Sequence, residues 1–153
     1  MKHSPRNVRR RAHTHPELSI ENRSIDMELK EYFDKHNGFG VLSTADGEGR
    51  VNAAVFARPH FFDDGSVGFI MPDRLTHRNL TVNDYAAYLF REDTGEKEHA
   101  YLGKRLYLKK IEEVRDEARI APLRRRTYGD DRDGSFLVIF KVEKILSLIG
   151  SGP

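Results

Sequence analysis

Short apolar segments separated by turn-forming residues are the feature that most restricts how this chain can fold. Tight turns are predicted at residues 46–49 (Asp-Gly-Glu-Gly) and 63–65 (Asp-Asp-Gly). The six apolar segments are residues 39–44, 50–62, 66–71, 85–91, 100–110 and 136–149. Most of them are neighbours in sequence and do not alternate regularly with helices. The pattern therefore predicts an antiparallel sheet, with its first three strands as a meander, and excludes a doubly wound parallel one.

A closed or half-closed barrel with helical caps suits six apolar strands, because closure removes the edges that an open sheet would expose. The predicted fold class is mainly β, with short helices. One helix is expected from an N-cap at Ser24, with Ile25, Leu29, Tyr32 and Phe33 on one face, to a left-handed stop at residues 37–38. Two more helices are expected at residues 76–83 and 111–126, the second one ended or kinked by its proline.

The charge of the chain is distributed unevenly. Residues 1–16 hold five of the 26 Lys and Arg residues and none of the 24 acids, so the remaining chain is mildly acidic. We predict a basic N-terminal arm at residues 1–23 and one domain at residues 24–153. The arm could contact nucleic-acid phosphates, but it has no aromatic residue for base stacking. An arm that embraces a second subunit and a solubilising tail are the alternatives.

Several classes of function are excluded by what the sequence lacks. The 153 residues include no cysteine, which excludes disulfides, thiol nucleophiles and cysteine-ligated metals. The seven histidines do not have the spacing of a helical zinc motif, so no metal site is predicted. The longest apolar runs have about five residues, too few to span a bilayer. The N-terminus lacks the apolar stretch of a signal peptide, which favours a cytoplasmic location.

Residues 72–80 form the strongest candidate for a binding site. A strand ends at Pro72 and a short helix is expected to begin near Thr76, where unpaired N–H groups and the helix dipole favour an anion. The Thr76 hydroxyl and the flanking Arg74 and Arg78 would serve a phosphate monoester well. The alternative is that Thr76 only caps its own helix and the arginines are solvated.

A second candidate is the strand at residues 51–56. Its successive alanines, Ala53 and Ala54, leave space above the backbone, where a flat aromatic ligand could bind main-chain groups. The alternative is that small residues fit a narrow barrel interior.

Taken together, these segments resemble the pyridoxamine 5'-phosphate oxidase-like FMN-binding family, the split-barrel flavoproteins. The resemblance runs from about residue 29 to residue 148. It is carried by residues 39–44, 51–55, 64–70, 74–80 with Asn83, 85–90 and 103–106. It implies a six-stranded antiparallel split β-barrel with helical caps and a homodimer that binds FMN in clefts between its subunits.

The resemblance also implies site residues. It places Asn52, Ala53, Ala54 and Val55 beside the isoalloxazine ring, and Arg74, Thr76 and Asn79 at the phosphate. Arg58 corresponds to a further basic phosphate contact, and Lys104 and Arg105 could approach the cofactor from either subunit. Thr76 stands where many members have a lysine. The substrate-binding segment of the true oxidase cannot be matched to residues 136–153, so oxidation of pyridoxamine phosphate is not expected.

The expected function is a flavin-dependent oxidoreductase that acts on a small-molecule substrate, with an electron donor such as NADH or NADPH. No catalytic residue is assigned, because the flavin supplies the reactive group. The alternatives are a non-catalytic flavin carrier or sensor, a relative that binds haem or a deazaflavin, and a nucleic-acid-binding barrel that uses the basic arm.

Overall fold

The computed structural model describes residues 20–95, 101–125 and 134–150, with residues 20–26 described by their backbone alone. The predicted basic arm therefore lies outside the described residues up to residue 19. Among the described residues, no helix has both the length and the apolar character needed to cross a bilayer.

The described strands form one antiparallel sheet in the order β2-β1-β5-β6-β7-β4-β3. The strands are β1 (Gly38–Ala45), β2 (Val51–Val55), β3 (His60–Phe61), β4 (Val67–Met71), β5 (Tyr85–Glu92), β6 (Gly103–Val114) and β7 (Phe136–Ser147). The helices are α1 (Ile20–Lys35), α2 (Leu75–Val82) and α3 (Glu117–Ile120), followed by a 3₁₀ turn at Ala121–Leu123. The mainly β class with short helices is confirmed.

The sheet curls into a split barrel, which brings the segment after β2 against β4 while one edge of β2 has no neighbour among the described strands. Just after β2, the carbonyl oxygen of Phe56 accepts a hydrogen bond of 3.1 Å from the Tyr88 hydroxyl of β5. The Phe56 ring contacts Phe69 of β4 edge to face, with 5.9 Å between ring centroids. The enclosed core is rich in aromatic side chains, and Leu29 and Phe33 of α1 are buried against it. Burial of these large rings provides much of the stability of the barrel.

The outer face of the sheet differs from its inner face because side chains alternate along each strand. Leu42 and Thr44 of β1 are buried, while Phe39 on the same strand is 55% exposed. Val41 pairs with Val55 of β2 on one side and with Leu89 of β5 on the other. The exposed apolar side chains on the strands are Phe39, Val51, Val55, Tyr85, Leu89, Tyr107 and Ile111. We call the part carried by β2, β1 and β5 the outer apolar face.

Two predictions about the strands are wrong. The segment at residues 50–62 is not one strand but two, β2 and β3, which raises the number of described strands from six to seven. Pro59 lies in the break, and its missing N–H cannot continue a strand ladder. The first three predicted strands do not form a meander, because β4 pairs with β7 and β3 rather than with β2.

The predicted helix at residues 111–126 is also largely wrong. Residues up to Val114 continue β6, since Glu112 pairs with Ile139 and Val114 with Leu137 of β7. These pairings keep the segment extended despite its helical spacing. Only the short α3 is α-helical, and the carboxylate of Asp116 caps it by accepting from the Ala118 N–H at 3.0 Å.

The bounds of α1 differ from those predicted. The helix begins at Ile20 rather than after Ser24 and ends at Lys35. Gly38 does not end it in a left-handed conformation but begins β1. Glycine fits there because a Cβ at residue 38 would overlap the carbonyl oxygen of Arg91 on the paired strand.

Candidate functional site

The start of α2 has the features of an anion site. The helix begins at Leu75, with Arg74 as an extended N-cap residue, and no hydrogen bond from a side chain caps it among the described residues. The N–H groups of its first turn therefore stay available to a ligand, and the helix dipole adds positive potential. Thr76 does not cap its own helix, which removes the alternative interpretation of this residue.

Thr76 instead belongs to a polar cluster that joins α2 to the barrel. Its buried hydroxyl oxygen accepts a hydrogen bond of 3.2 Å from the side-chain amide of Asn52 on β2. The Asn79 amide donates to the hydroxyl of Thr44 on β1 at 3.1 Å. Thr44 and Asn52 are themselves partners across β1 and β2. We call these four residues the α2 polar cluster; Thr44 is its unpredicted member, detectable as a polar residue at an inward position of an apolar strand.

The strand beside this cluster has an open edge. β2 is the first strand of the sheet, so one of its edges has no neighbour among the described strands. The side chains of Asn52 and Ala54 share the inner face with Thr44 and Leu42, their partners on β1. Ala53 and Val55 lie on the outer face and are exposed. Free backbone groups, flanked by small side chains, are therefore available along this edge.

His77 holds α2 in this position. The imidazole is buried and stacks on Phe136 of β7, with 3.7 Å between ring centroids and 13° between planes. Its Nδ1 lies 2.9 Å from a carboxylate oxygen of Asp73, and its Nε2 contacts the carboxylate of Glu113. Sequence reasoning missed this role, because two of the three partners of His77, Glu113 and Phe136, come from β6 and β7.

Three predicted site residues lie away from the α2 polar cluster. Arg58 donates to the carbonyl oxygen of Phe33 at 2.7 Å, and Arg105 donates to the carbonyl oxygen of Ser147 at 2.9 Å. Lys104 lies over the Tyr32 ring, with Nζ 4.6 Å from its centroid. β6 is three strand spacings from β2, about 14 Å within one subunit. Lys104 and Arg105 would therefore have to reach the cluster from a second subunit.

Arg58 lines a separate cavity of about 660 Å³. Three arginines, two histidines and three large apolar residues line it. They are Arg58, Arg124, Arg125, His36, His60, Phe56, Phe69 and Ile70. We call it the basic cavity. Burial, together with the charges of Arg125 and Arg58, lowers the pKa of His60 from 6.5 to about 4. His60 is therefore neutral at pH 7, and the arginines supply the positive charge.

The depressed pKa of His60 predicts a loss of stability in mild acid. Between pH 6.5 and pH 4 the unfolded chain binds a proton at this residue and the folded chain does not. The free energy of unfolding therefore decreases as the pH is lowered through this range. From pH 7.5 to pH 4.5 we expect the wild type to lose about 2 kcal/mol more than His60→Gln. Urea unfolding at both pH values measures this difference, and equal losses would contradict it.

Solved structures share this architecture. An FMN-binding protein from Syntrophomonas wolfei subsp. wolfei superposes with a TM-score of 0.69 at 20% identity, covering 87% of this chain and 92% of that one. The haem storage protein HutZ of Vibrio cholerae has a TM-score of 0.56 at 18% identity, covering 79% and 92%. A pyridoxinephosphate oxidase family protein of Clostridium acetobutylicum, related to general stress protein 26, has a TM-score of 0.54 at 16% identity, covering 82% and 94%.

No protein-family model and no curated protein matches the chain. The shared architecture extends over most of this chain and most of each of the three solved ones. The sequence resemblance implied a six-stranded antiparallel split barrel; the split-barrel fold is confirmed, with seven described strands rather than six. The chain has the split-barrel fold of the pyridoxine phosphate oxidase-like proteins.

Proposed function

We propose that this protein binds FMN and uses it as an oxidoreductase acting on small molecules. The observation that carries the proposal is the uncapped start of α2, with Thr76 hydrogen-bonded to Asn52 on the open edge strand β2. A phosphate group and a planar hydrogen-bonding ring can thus be held by adjoining parts of one site. FMN has both groups, and a solved protein with this fold is described as FMN-binding.

The residues present fit the two ends of FMN. The first-turn N–H groups of α2, the Thr76 hydroxyl and the Arg74 guanidinium form a donor set for the phosphate. The free backbone edge of β2 offers donors and acceptors to the pyrimidine side of the ring. Ala53 and Ala54 leave room for a ring to lie close to that edge. Asn79 acts indirectly, by fixing α2 to Thr44.

The chemistry divides between the cofactor and the chain. FMN, when bound, supplies hydride or electron transfer. The chain binds the phosphate and orients the ring along β2. It needs no acid–base residue of its own for these tasks, and we assign none.

We further propose that two copies of the chain pair through the outer apolar face. Val55 is 65% exposed, and it lies beside Val41 and Leu89 in one row across β2, β1 and β5. A next row consists of the small residues Ala53, Ser43 and Ala87. An apolar sheet face of this kind favours burial against a second subunit. Pairing there would cover the edge of β2 and complete the flavin site, with Lys104 and Arg105 contributed by the partner.

A charge in this face is expected to break the dimer. Val55→Glu should raise the dimer dissociation constant at least 10-fold, because a carboxylate would be buried without a partner. Met27→Glu is the matched control, since Met27 on α1 is 66% exposed and lies outside the sheet. Size-exclusion chromatography with light scattering measures the mass of each variant. A monomeric wild type, or a Val55→Glu protein that remains fully dimeric, would overturn the dimer proposal.

The visible spectrum of the freshly purified protein tests the cofactor. We expect a flavin spectrum and the release of FMN on denaturation. A haem band or a released deazaflavin would keep the fold but refute FMN as the cofactor. A colourless protein that also fails to bind added FMN would refute the proposed function. Steady oxidation of NADH or NADPH by the FMN-loaded protein would then distinguish an enzyme from a flavin carrier or sensor.

A further inference from the structure

We propose that the basic cavity binds a second ligand, a small organic anion that carries an aromatic ring. The cavity lies between the C-terminal end of α1, the segment that joins β2 to β3, and the segment after α3. Its volume of about 660 Å³ falls within the usual range of small-molecule sites. The proposed function does not use this cavity, and the inference does not rest on it.

The anionic character of the ligand follows from the charges in the wall. Arg124 is paired with Glu117 at 2.9 Å. Within residues 20–95, 101–125 and 134–150, neither Arg58 nor Arg125 forms an ion pair with a carboxylate. The Asp34 carboxylate is near enough to respond to both arginines, but it is paired with Lys30 at 2.7 Å. Among the residues that the structure describes, these two guanidinium groups at the cavity thus have no carboxylate within ion-pair distance.

Backbone carbonyl groups position these two guanidinium groups without neutralising them. Arg58 donates to the carbonyl oxygen of Phe33 at 2.7 Å. Arg125 donates to the carbonyl oxygens of Arg58 and Pro59, at 2.5 and 3.0 Å. A guanidinium has five N–H donors, so both side chains keep donors for a carboxylate or phosphate. Partial burial and the neighbouring Arg58 lower the pKa of Arg125, a strain that a bound anion would relieve.

The aromatic character of the ligand follows from the remaining wall. Phe56, Phe69 and Ile70 line the same cavity, so an apolar surface lies beside the two cations. A simple inorganic anion would leave this surface in water, whereas a ring attached to the anionic group would cover it. Small-molecule sites commonly combine such an apolar wall with a few charged groups.

This cavity is separate from the proposed flavin site. Gly38, at the start of β1, lines the cavity, whereas Thr44 of the α2 polar cluster lies six residues further along the same strand. At the rise of an extended strand, six residues span about 20 Å. One ligand at each end of β1 can therefore be accommodated at the same time.

Isothermal titration with phenyl phosphate and with benzoate tests the inference. We expect the wild type to bind at least one of the two saturably at millimolar concentration or below; the difference between them shows whether the site prefers phosphate or carboxylate. Benzamide, a neutral probe with the same ring, should bind at least 10-fold more weakly. Absence of saturable binding by both anions would overturn the proposal, and so would equal binding of benzamide.

Variants locate the binding within the cavity. Arg58→Gln and Arg125→Gln should each weaken the binding of the preferred probe at least 10-fold, while Arg58→Lys, which keeps the charge, should retain most of it. Arg119→Gln is the control, because Arg119 is exposed and paired with Glu112. Circular dichroism confirms that each variant is folded. Equal affinity of the folded Arg58→Gln, Arg125→Gln and Arg119→Gln proteins would overturn the proposal.

The same titration on FMN-saturated protein separates the two proposals. We expect the affinity for the probe to change less than 3-fold when FMN is bound. Stoichiometric displacement of FMN by the probe would show that the cavity is part of the cofactor site. That result would overturn the proposal of a separate site for a second ligand. A protein that binds the probe but not FMN would refute the proposed function and leave this inference intact.

Discussion

Replacing Arg74 by alanine and Thr76 by valine in one variant is expected to weaken FMN binding about 100-fold or more. Each residue would donate a hydrogen bond to the charged phosphate, and such bonds contribute about 1.5–3 kcal/mol each. Losing both corresponds to a factor of about 100 to 10,000 in affinity. Valine has nearly the shape of threonine, so the variant removes the hydroxyl group without opening a cavity beside Asn52.

Fluorescence titration with FMN and with riboflavin measures this effect and attributes it to the phosphate. Riboflavin has the same ring system but no phosphate, so its weaker binding should change less than 3-fold in the variant. A control variant combines Thr81→Val, at an exposed hydroxyl bonded to the carbonyl oxygen of Arg78, with Arg119→Ala. Unchanged FMN affinity in the Arg74 and Thr76 variant would rule out the phosphate site at α2.

Most strands of the barrel could be predicted from the sequence because their signal is local. Apolar runs and turn residues located β1, β4, β5 and β7 closely. The prediction of a helix at residues 111–126 was largely wrong, because the pairing of β6 with β7 outweighs the helical spacing of apolar residues in this segment. Strand order was not predictable in the same way, since the neighbours of β4 are decided by closure of the whole sheet.

The candidate site was predictable in part for the same reason. Thr76 stood out in its own segment and Asn52 was named through the resemblance, but the hydrogen bond between them joins residues 24 positions apart. The basic cavity gave no local signal at all. Its arginines come from the segments around residues 58 and 125, which only the folded chain brings together. The resemblance accordingly suggested that Arg58 contacts a phosphate, whereas the structure places Arg58 in the wall of the basic cavity.

Gly40→Ala is expected to cause a large loss of stability, about 3 kcal/mol or more. Gly40 lies in β1, where the Tyr88 side chain crosses to reach the carbonyl oxygen of Phe56. A Cβ at residue 40 would overlap the Tyr88 hydroxyl and lie 2.6 Å from that carbonyl oxygen. Relief of the overlap requires Tyr88, which is fully buried, to move and give up its hydrogen bond. We expect the melting temperature to fall by about 6–12 °C.

Two further variants show whether this loss arises from the contact of residue 40 with Tyr88. Gly47→Ala is the matched control, because a Cβ there meets no atom of the described residues within 4 Å, and its stability should change by less than about 0.5 kcal/mol. Adding Tyr88→Phe to Gly40→Ala removes the overlapping oxygen and should restore part of the stability, so the two effects are not additive. Differential scanning calorimetry measures the wild type, these three variants and Tyr88→Phe alone, which the test of additivity requires. Equal melting temperatures for Gly40→Ala and Gly47→Ala would contradict the close approach of β1 to Tyr88, and with it the role of Gly40 in letting Tyr88 reach the carbonyl oxygen of Phe56.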